Sequence, residues 1–231
     1  MVRRLKAYAE EDGYRLTIDM DIADERAPGG YSSAFDLVAN DCNTTANPLP
    51  LARCKQFDFI CGAFWALAPR TMRADLSPSF LKSTMTTIKV VKEDPTQRDF
   101  TTLSQAEEGG GIICTQANTA YPSAVKPKFP RAKYNMCPSF SGCFKELKDG
   151  NCDLYASDDL ALRYTTLKDK TLKMTGELIQ SQYNVMPLRH DLEVTKAMMI
   201  KKWMCAAVTN GTMDELYFDY FDAKIYPLGK P

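Results

Sequence analysis

The sequence predicts an α/β protein of two lobes with a ligand cleft between them. Three observations carry this. Strand-patterned and helix-patterned segments alternate along most of the chain, as in open α/β folds. Extended segments near Thr87–Val91 and Tyr183–Leu188 divide that alternation, so the chain leaves one lobe, builds a second and returns. The 231 residues, 45% hydrophobic, suffice for a sizeable apolar core. The expected bounds are residues 1–89 with 187–231 for one lobe and 90–186 for the other. Ligands of α/β folds sit beyond the carboxyl ends of strands, which points to the crossover.

The elements follow in order. Val2, Leu5 and Ala9 recur at helical spacing, and Gly13 ends that helix. RLTIDM alternates as a half-buried strand. Residues 21–50 are rich in loop formers around one short helix, AFDLVAN. FDFICGA reads as a strand, and TMRADLSPSF as a turn and short helix. TMTTIKVV is β-branched and strand-like. Asp99 to Glu108 reads as a helix closed by three glycines, and IICTQ as the next strand. NTAYPSAVKPKFP opens a helix, FSGCFKELKDG forms another, and CDLYA is a strand followed by the helix DDLALRYTTL. LIQSQYNVMPL is extended, and one or two helices close the chain from Asp191. This order predicts a mainly parallel sheet.

Composition excludes several functions. Lys plus Arg and Asp plus Glu both number 29, and aromatics are not interleaved with basic clusters, so nucleic acid is not a partner. No run of 18 apolar residues exists to span a bilayer. There is no CxxC, and His190 is the sole histidine, so neither a metal nor another cofactor is implied. No GxSxG elbow occurs, and Gly109–Gly111 lack the spacing of a phosphate loop. No catalytic residue is assigned, and the protein is not expected to be an enzyme.

The eight cysteines fit either buried thiols or disulfides of an oxidising compartment. Cys42 and Cys54 flank a loop as a closing bridge would, and Cys143 and Cys152 flank a short helix. Cys61 and Cys114 lie in apolar runs and read as core thiols. Asn43 and Asn210 begin N-x-T triplets. The expected setting is extracellular, lumenal or periplasmic.

Three turns carry candidate chemistry. GAFWALAPR places Arg70 just past a strand, where its rigid fork of donors suits a carboxylate. TQANTAY ends a strand and offers Asn118 and Thr119 as helix caps or anion contacts. CDLYASDD ends a strand in Ser157, Asp158 and Asp159, each a candidate cap or an acid for an ammonium group. Alone, each turn is equally served by a solvated charge or a plain cap.

In this order the turns resemble the family 3 solute-binding proteins. These are amino-acid-binding, type II periplasmic binding proteins related to the ligand-binding cores of ionotropic glutamate receptors. The stretch GAFWALAPRTMRADLSPSF resembles the family's strand, apolar turn, arginine and D-F-S-x-P segment. LSQAEEGGGIICTQANTAY resembles its second-lobe strand and hydroxyl-bearing helix start, and FKELKDGNCDLYASDD its paired-aspartate segment. YNVMPLR and NGTMDELYFDYF resemble the returning strand and closing helix, so the likeness spans Met1 to Phe221.

The resemblance implies a type II periplasmic-binding-protein-like fold and a ligand set. Arg70 would clamp the ligand's carboxylate, with Ala63 and Trp65 at the preceding ligand-facing positions. Thr119 would complete the carboxylate site, Asn118 would stand where the family has glycine, and Asp158 would meet the ammonium. Trp65 departs from the Thr or Ser found there in the family. The implied partner is an amino-acid-like or carboxylate ligand, handed on by a monomer to a membrane transporter or receptor. The family's opening strand and loop have no counterpart in the chain; natural shortening and truncation both fit. Two other readings stay open: a dehydratase- or lyase-like enzyme, and an interaction domain without a small ligand.

Overall fold

The computed structural model describes residues 2–11, 13, 38, 57–60, 64–91 and 98–215. The chain divides into two compact units, residues 1–82 with 183–231 and residues 83–182.

In the first unit, helix α1 (Val2–Glu11) ends before Gly13, whose φ of 81° is the left-handed turn that favours glycine. Strand β1 (Phe64–Trp65) runs into a single helical turn, α2 (Ala68–Thr71), which Pro69 starts. Strand β2 (Asp75–Leu76) follows. The FDFICGA strand is thus displaced: Phe59 makes one bridge to Leu188, and the regular pairing lies at Phe64–Trp65. The short helix expected within TMRADLSPSF lies earlier, because the proline that nucleates it is Pro69. RLTIDM and most of AFDLVAN lie outside the described residues.

The returning chain completes this unit. β1 pairs antiparallel with strand β8 (Gln180–Val185) through Phe64 opposite Val185 and Trp65 opposite Asn184. β2 pairs antiparallel with β9 (Pro187–Leu188). The long helix α7 (Val194–Thr209) buries Trp203, Met204 and Ala207 with Met186 and Met213, and Tyr8 of α1 covers the same cluster. Ser77 ties the corner: its N–H donates to the Met186 carbonyl, and its Oγ accepts from the Met186 N–H, both at 2.9 Å.

The second unit contains a mixed sheet. Strand β3 (Leu81–Val90) enters it and pairs antiparallel with β6 (Leu154–Asp158) and with β7 (Leu172–Met174). β4 (Ile112–Gln116) lies parallel between β6 and β5 (Lys133–Cys137). The expectation of a mainly parallel sheet is therefore corrected. Among the described pairs only β4–β5 and β4–β6 are parallel. Strand β3 enters from the other unit and β7 follows a helix closely, and both run against β6 and β3 respectively.

Helices cover this sheet. Helix α3 (Leu103–Glu108) starts later than Asp99, because Thr102 caps it by accepting from Gln105 N–H. Helix α4 (Tyr121–Val125), α5 (Phe140–Lys148) and α6 (Asp159–Lys168) follow β4, β5 and β6 in turn. Ser139 caps α5, and Gly150 beyond its end has a φ of 77°.

The core of the second unit holds both described disulfides, Cys114–Cys152 and Cys137–Cys143, with Ile88, Tyr155, Leu147 and Leu162. This corrects two cysteine readings. Cys114 is not a free core thiol, and Cys143 pairs with Cys137 rather than Cys152. The reason is register: β4 and β6 lie side by side, with Cys114 opposite Tyr155, so Cys152 comes to Cys114 just before β6 begins. Cys42, Cys54 and Cys61 lie outside the described residues. Among the described residues no helix is long and apolar enough to cross a membrane.

Candidate functional site

Arg70 lies in the last turn of α2, after β1. The Trp65 carbonyl accepts from Leu67 N–H and from Arg70 Nη1, both at 2.9 Å. The guanidinium carbon stands 5.4 Å from the centre of the Phe64 ring, a cation–π distance. The turn itself closes through Arg70 N–H to the Leu67 carbonyl at 2.8 Å and Ala74 N–H to the Arg70 carbonyl at 3.1 Å. The Trp65 carbonyl thus holds one guanidinium nitrogen, and the guanidinium is a rigid planar fork of the kind that matches a carboxylate. Trp65 is 3% exposed. Ala63 lies outside the described residues.

The second unit brings Thr119 and Asp158 to one edge. β4 and β6 are parallel neighbours, so the turn after Gln116 and the end of β6 share the carboxyl-terminal edge of the sheet. Asn118 has a φ of 57°, the only described non-glycine residue in the left-handed region. Asn is among the few side chains that tolerate it. That kink lets the Thr119 hydroxyl donate back to the Gln116 carbonyl at 2.8 Å and accept from Tyr121 N–H at 3.3 Å. The helix itself starts at Tyr121, two residues after Thr119, with Ala120 rather than Asn118 or Thr119 at the cap position and Pro122 in its first turn. The same edge is fastened to β5: Ala117 N–H donates to the Cys137 carbonyl at 2.8 Å.

Asp158 ends β6 opposite Met85 and caps α6, its Oδ1 accepting from Leu160 N–H at 3.1 Å. Its neighbour takes a different task, which residue type alone did not reveal. Asp159 is 4% exposed, accepts from Thr84 N–H at 3.1 Å and lies 3.8 Å from Arg163 Nε. A buried acid pinned to the opposing strand is structural, and it sets the start of α6 so that Asp158 stays at the sheet edge. Asp153 likewise locks the other end: Ile112 N–H donates to its Oδ2 at 2.9 Å, and its own N–H donates to the Ile112 carbonyl at 2.8 Å.

Behind this edge the Tyr155 ring meets Phe140 and Phe144 edge-on, at 5.8 and 5.2 Å. Burial raises the Tyr155 phenol above its ordinary range, so it stays protonated at any physiological pH. His190 contacts Asp75 at 3.4 Å on the surface of the first unit. Among the described residues no group of three or more His, Cys, Asp or Glu is arranged to hold a metal ion.

No protein-family model matches the chain, and no curated protein matches its sequence. Solved structures do. A mutant of ArgBP from T. maritima superposes with a TM-score of 0.68 at 18% identity, covering 95% of this chain and 83% of that one. The GluR0 ligand-binding core in complex with L-glutamate gives 0.69 at 12% identity, covering 95% and 87%. An ancestral amino acid-binding protein, described as a precursor of cyclohexadienyl dehydratase, gives 0.66 at 16% identity, covering 96% and 84%. The fold of this chain is therefore the one these solute-binding proteins and receptor cores share, the type II periplasmic-binding-protein fold.

Proposed function

We propose that the protein binds a small amino-acid-like or carboxylate ligand and does not transform it. The observation that carries this reading is the likeness in fold to amino-acid-binding proteins over 95% of the chain. Arg70 takes the ligand carboxylate on its fork of N–H groups, backbone N–H groups near Thr119 share it, and the Thr119 hydroxyl joins them by turning its one proton from the Gln116 carbonyl to the ligand. Asp158 accepts hydrogen bonds from the ammonium. Asn118 supplies the left-handed turn that presents Thr119. Trp65 contributes its carbonyl as the tether of Arg70, and Ala63 is the remaining ligand-facing position. The protein acts as a monomer in an extracellular, lumenal or periplasmic setting and delivers its ligand to a membrane transporter or receptor. Two disulfides in one core support that setting, since such bonds persist where the medium is oxidising.

A thermal-shift screen with the standard amino acids and small carboxylates tests the reading. A ligand at a hundred times its Kd stabilises the folded state by about 2.7 kcal/mol. A shift without turnover is the expected result. Turnover would move the protein to the enzyme class, a reading that the dehydratase precursor among the similar structures keeps in view. No shift with any compound would point to an interaction domain.

A further inference from the structure

We propose that Asn210 is an acceptor for N-linked glycosylation; this rests on the non-cytosolic setting proposed above. Asn210, Gly211 and Thr212 form an N-x-T triplet without proline. The first two residues have a structural explanation. α7 ends at Thr209, Asn210 is its C-cap with its N–H on the Ala206 carbonyl at 2.9 Å, and Gly211 turns the chain with a φ of 85°. A helix stop therefore accounts for Asn and Gly.

It does not account for Thr212. The Thr212 N–H donates to Asn210 Oδ1 at 3.0 Å, which any residue but proline would do. The Thr212 hydroxyl makes no hydrogen bond among the described residues, and neither does Asn210 Nδ2. Asn210 is exposed, while the apolar side of this segment, Trp203, Ala207 and Met213, is buried. The triplet thus has an exposed carboxamide with its nitrogen unengaged, beside a hydroxyl that the fold does not use. A glycan here would leave the core of the first unit intact, since such groups are bulky, solubilising and confined to the surface.

The reaction balances with a lipid-diphosphate-linked oligosaccharide as donor. Asn210 Nδ2 forms a bond to the anomeric carbon, and the carbon–oxygen bond to diphosphate breaks. The diphosphate leaves with the electron pair, and the amide loses one proton.

The test is to secrete the full chain from animal cells behind a supplied signal sequence, then digest it. Hydrolysis of the glycan-bearing amides by a peptide amidase specific for N-linked glycans, in heavy-oxygen water, converts each formerly glycosylated asparagine to an aspartate that carries the label. The tryptic peptide Trp203–Lys224 should carry the label at position 210 in most molecules. Thr212→Ala should abolish it with Tm unchanged, Asn210→Gln should abolish it while the protein still folds, and Thr212→Ser should keep it at reduced occupancy. An unmodified peptide from protein whose Cys114–Cys152 and Cys137–Cys143 bonds have formed overturns the acceptor assignment alone. Secreted protein with those four cysteines reduced overturns the setting, and the acceptor assignment with it.

Discussion

The two units hold their candidate residues by different means. Arg70 sits on one helical turn, with its Nη1 on its own strand's carbonyl and its guanidinium over the adjacent Phe64 ring. Thr119 and Asp158 are held by a sheet, at the ends of parallel neighbours β4 and β6, in a unit braced by two disulfides. The lesson concerns robustness. A residue oriented by its own turn is insensitive to distant changes, whereas residues on a sheet edge inherit any shift of the strands beneath them. Breaking the second unit's braces should therefore reach Thr119 and Asp158, and leave Arg70 alone.

The largest expected effect comes from the longer bridge. Replacing Cys114 and Cys152 by alanine frees a loop of 38 residues. It should cost about 4 kcal/mol of stability by the loop-entropy relation, read as a lowered denaturant midpoint. Replacing Cys137 and Cys143 frees only 6 residues and should cost about 2 kcal/mol. That smaller change should nevertheless weaken ligand binding more. Cys137 ends β5 and accepts the Ala117 N–H at the start of the Thr119 turn, whereas Cys152 precedes β6 at the far end. Calorimetry on both double variants checks the inversion; equal ligand affinities would remove the proposed link between that bridge and the turn.

Smaller effects sharpen the same contrast. Ser139→Ala removes the cap of α5 beside the short bridge and should cost about 1 kcal/mol in unfolding. The Asp169 carboxyl tests the surface of the second unit. Lys148, then the Thr171 hydroxyl and N–H, hold it down at about 2, below the ordinary 3.8. A depressed carboxylate adds stability above the unfolded value, lost as pH falls from about 3.8 through about 2. Because the Lys148–Asp169 pair lies at the surface, in reach of water and salt, the effect is small. An NMR titration should find its midpoint near 2 and a rise in Lys148→Ala; a midpoint unmoved by that substitution would assign the depression to Thr171.

How much was legible in the sequence follows from where periodicity and turn chemistry dominate. IICTQ is apolar and bounded by glycines and a cap, so its strand was readable to the residue. FSGCFKELKDG follows a capping serine, Ser139, and carries a closing glycine, and its helix followed. Strand β5 was missed because KYNMC alternates weakly, with Lys133 and Met136 exposed beside only one neighbouring strand. Strand β7, three residues long, is set by its pairing with β3 rather than by pattern. Disulfide partners depend on strand register, which spacing along the chain does not encode. Two candidate turns were visible because each needs particular residue types, an asparagine for a left-handed kink and an acid to cap α6, whereas the helix that Pro69 opens was expected later in the chain. The division of labour between Asp158 and Asp159 was not visible, since two adjacent acids look alike until one is buried against Thr84.

The central claim is that Arg70 clamps a ligand carboxylate. It is tested most directly by titrating the full chain, and its Arg70→Glu variant, with whichever standard amino acid gives the largest thermal shift. The account predicts measurable heat for the unmodified chain, none for the variant, and a cooperative unfolding transition retained by the variant without ligand. Unchanged affinity in the folded variant would contradict it.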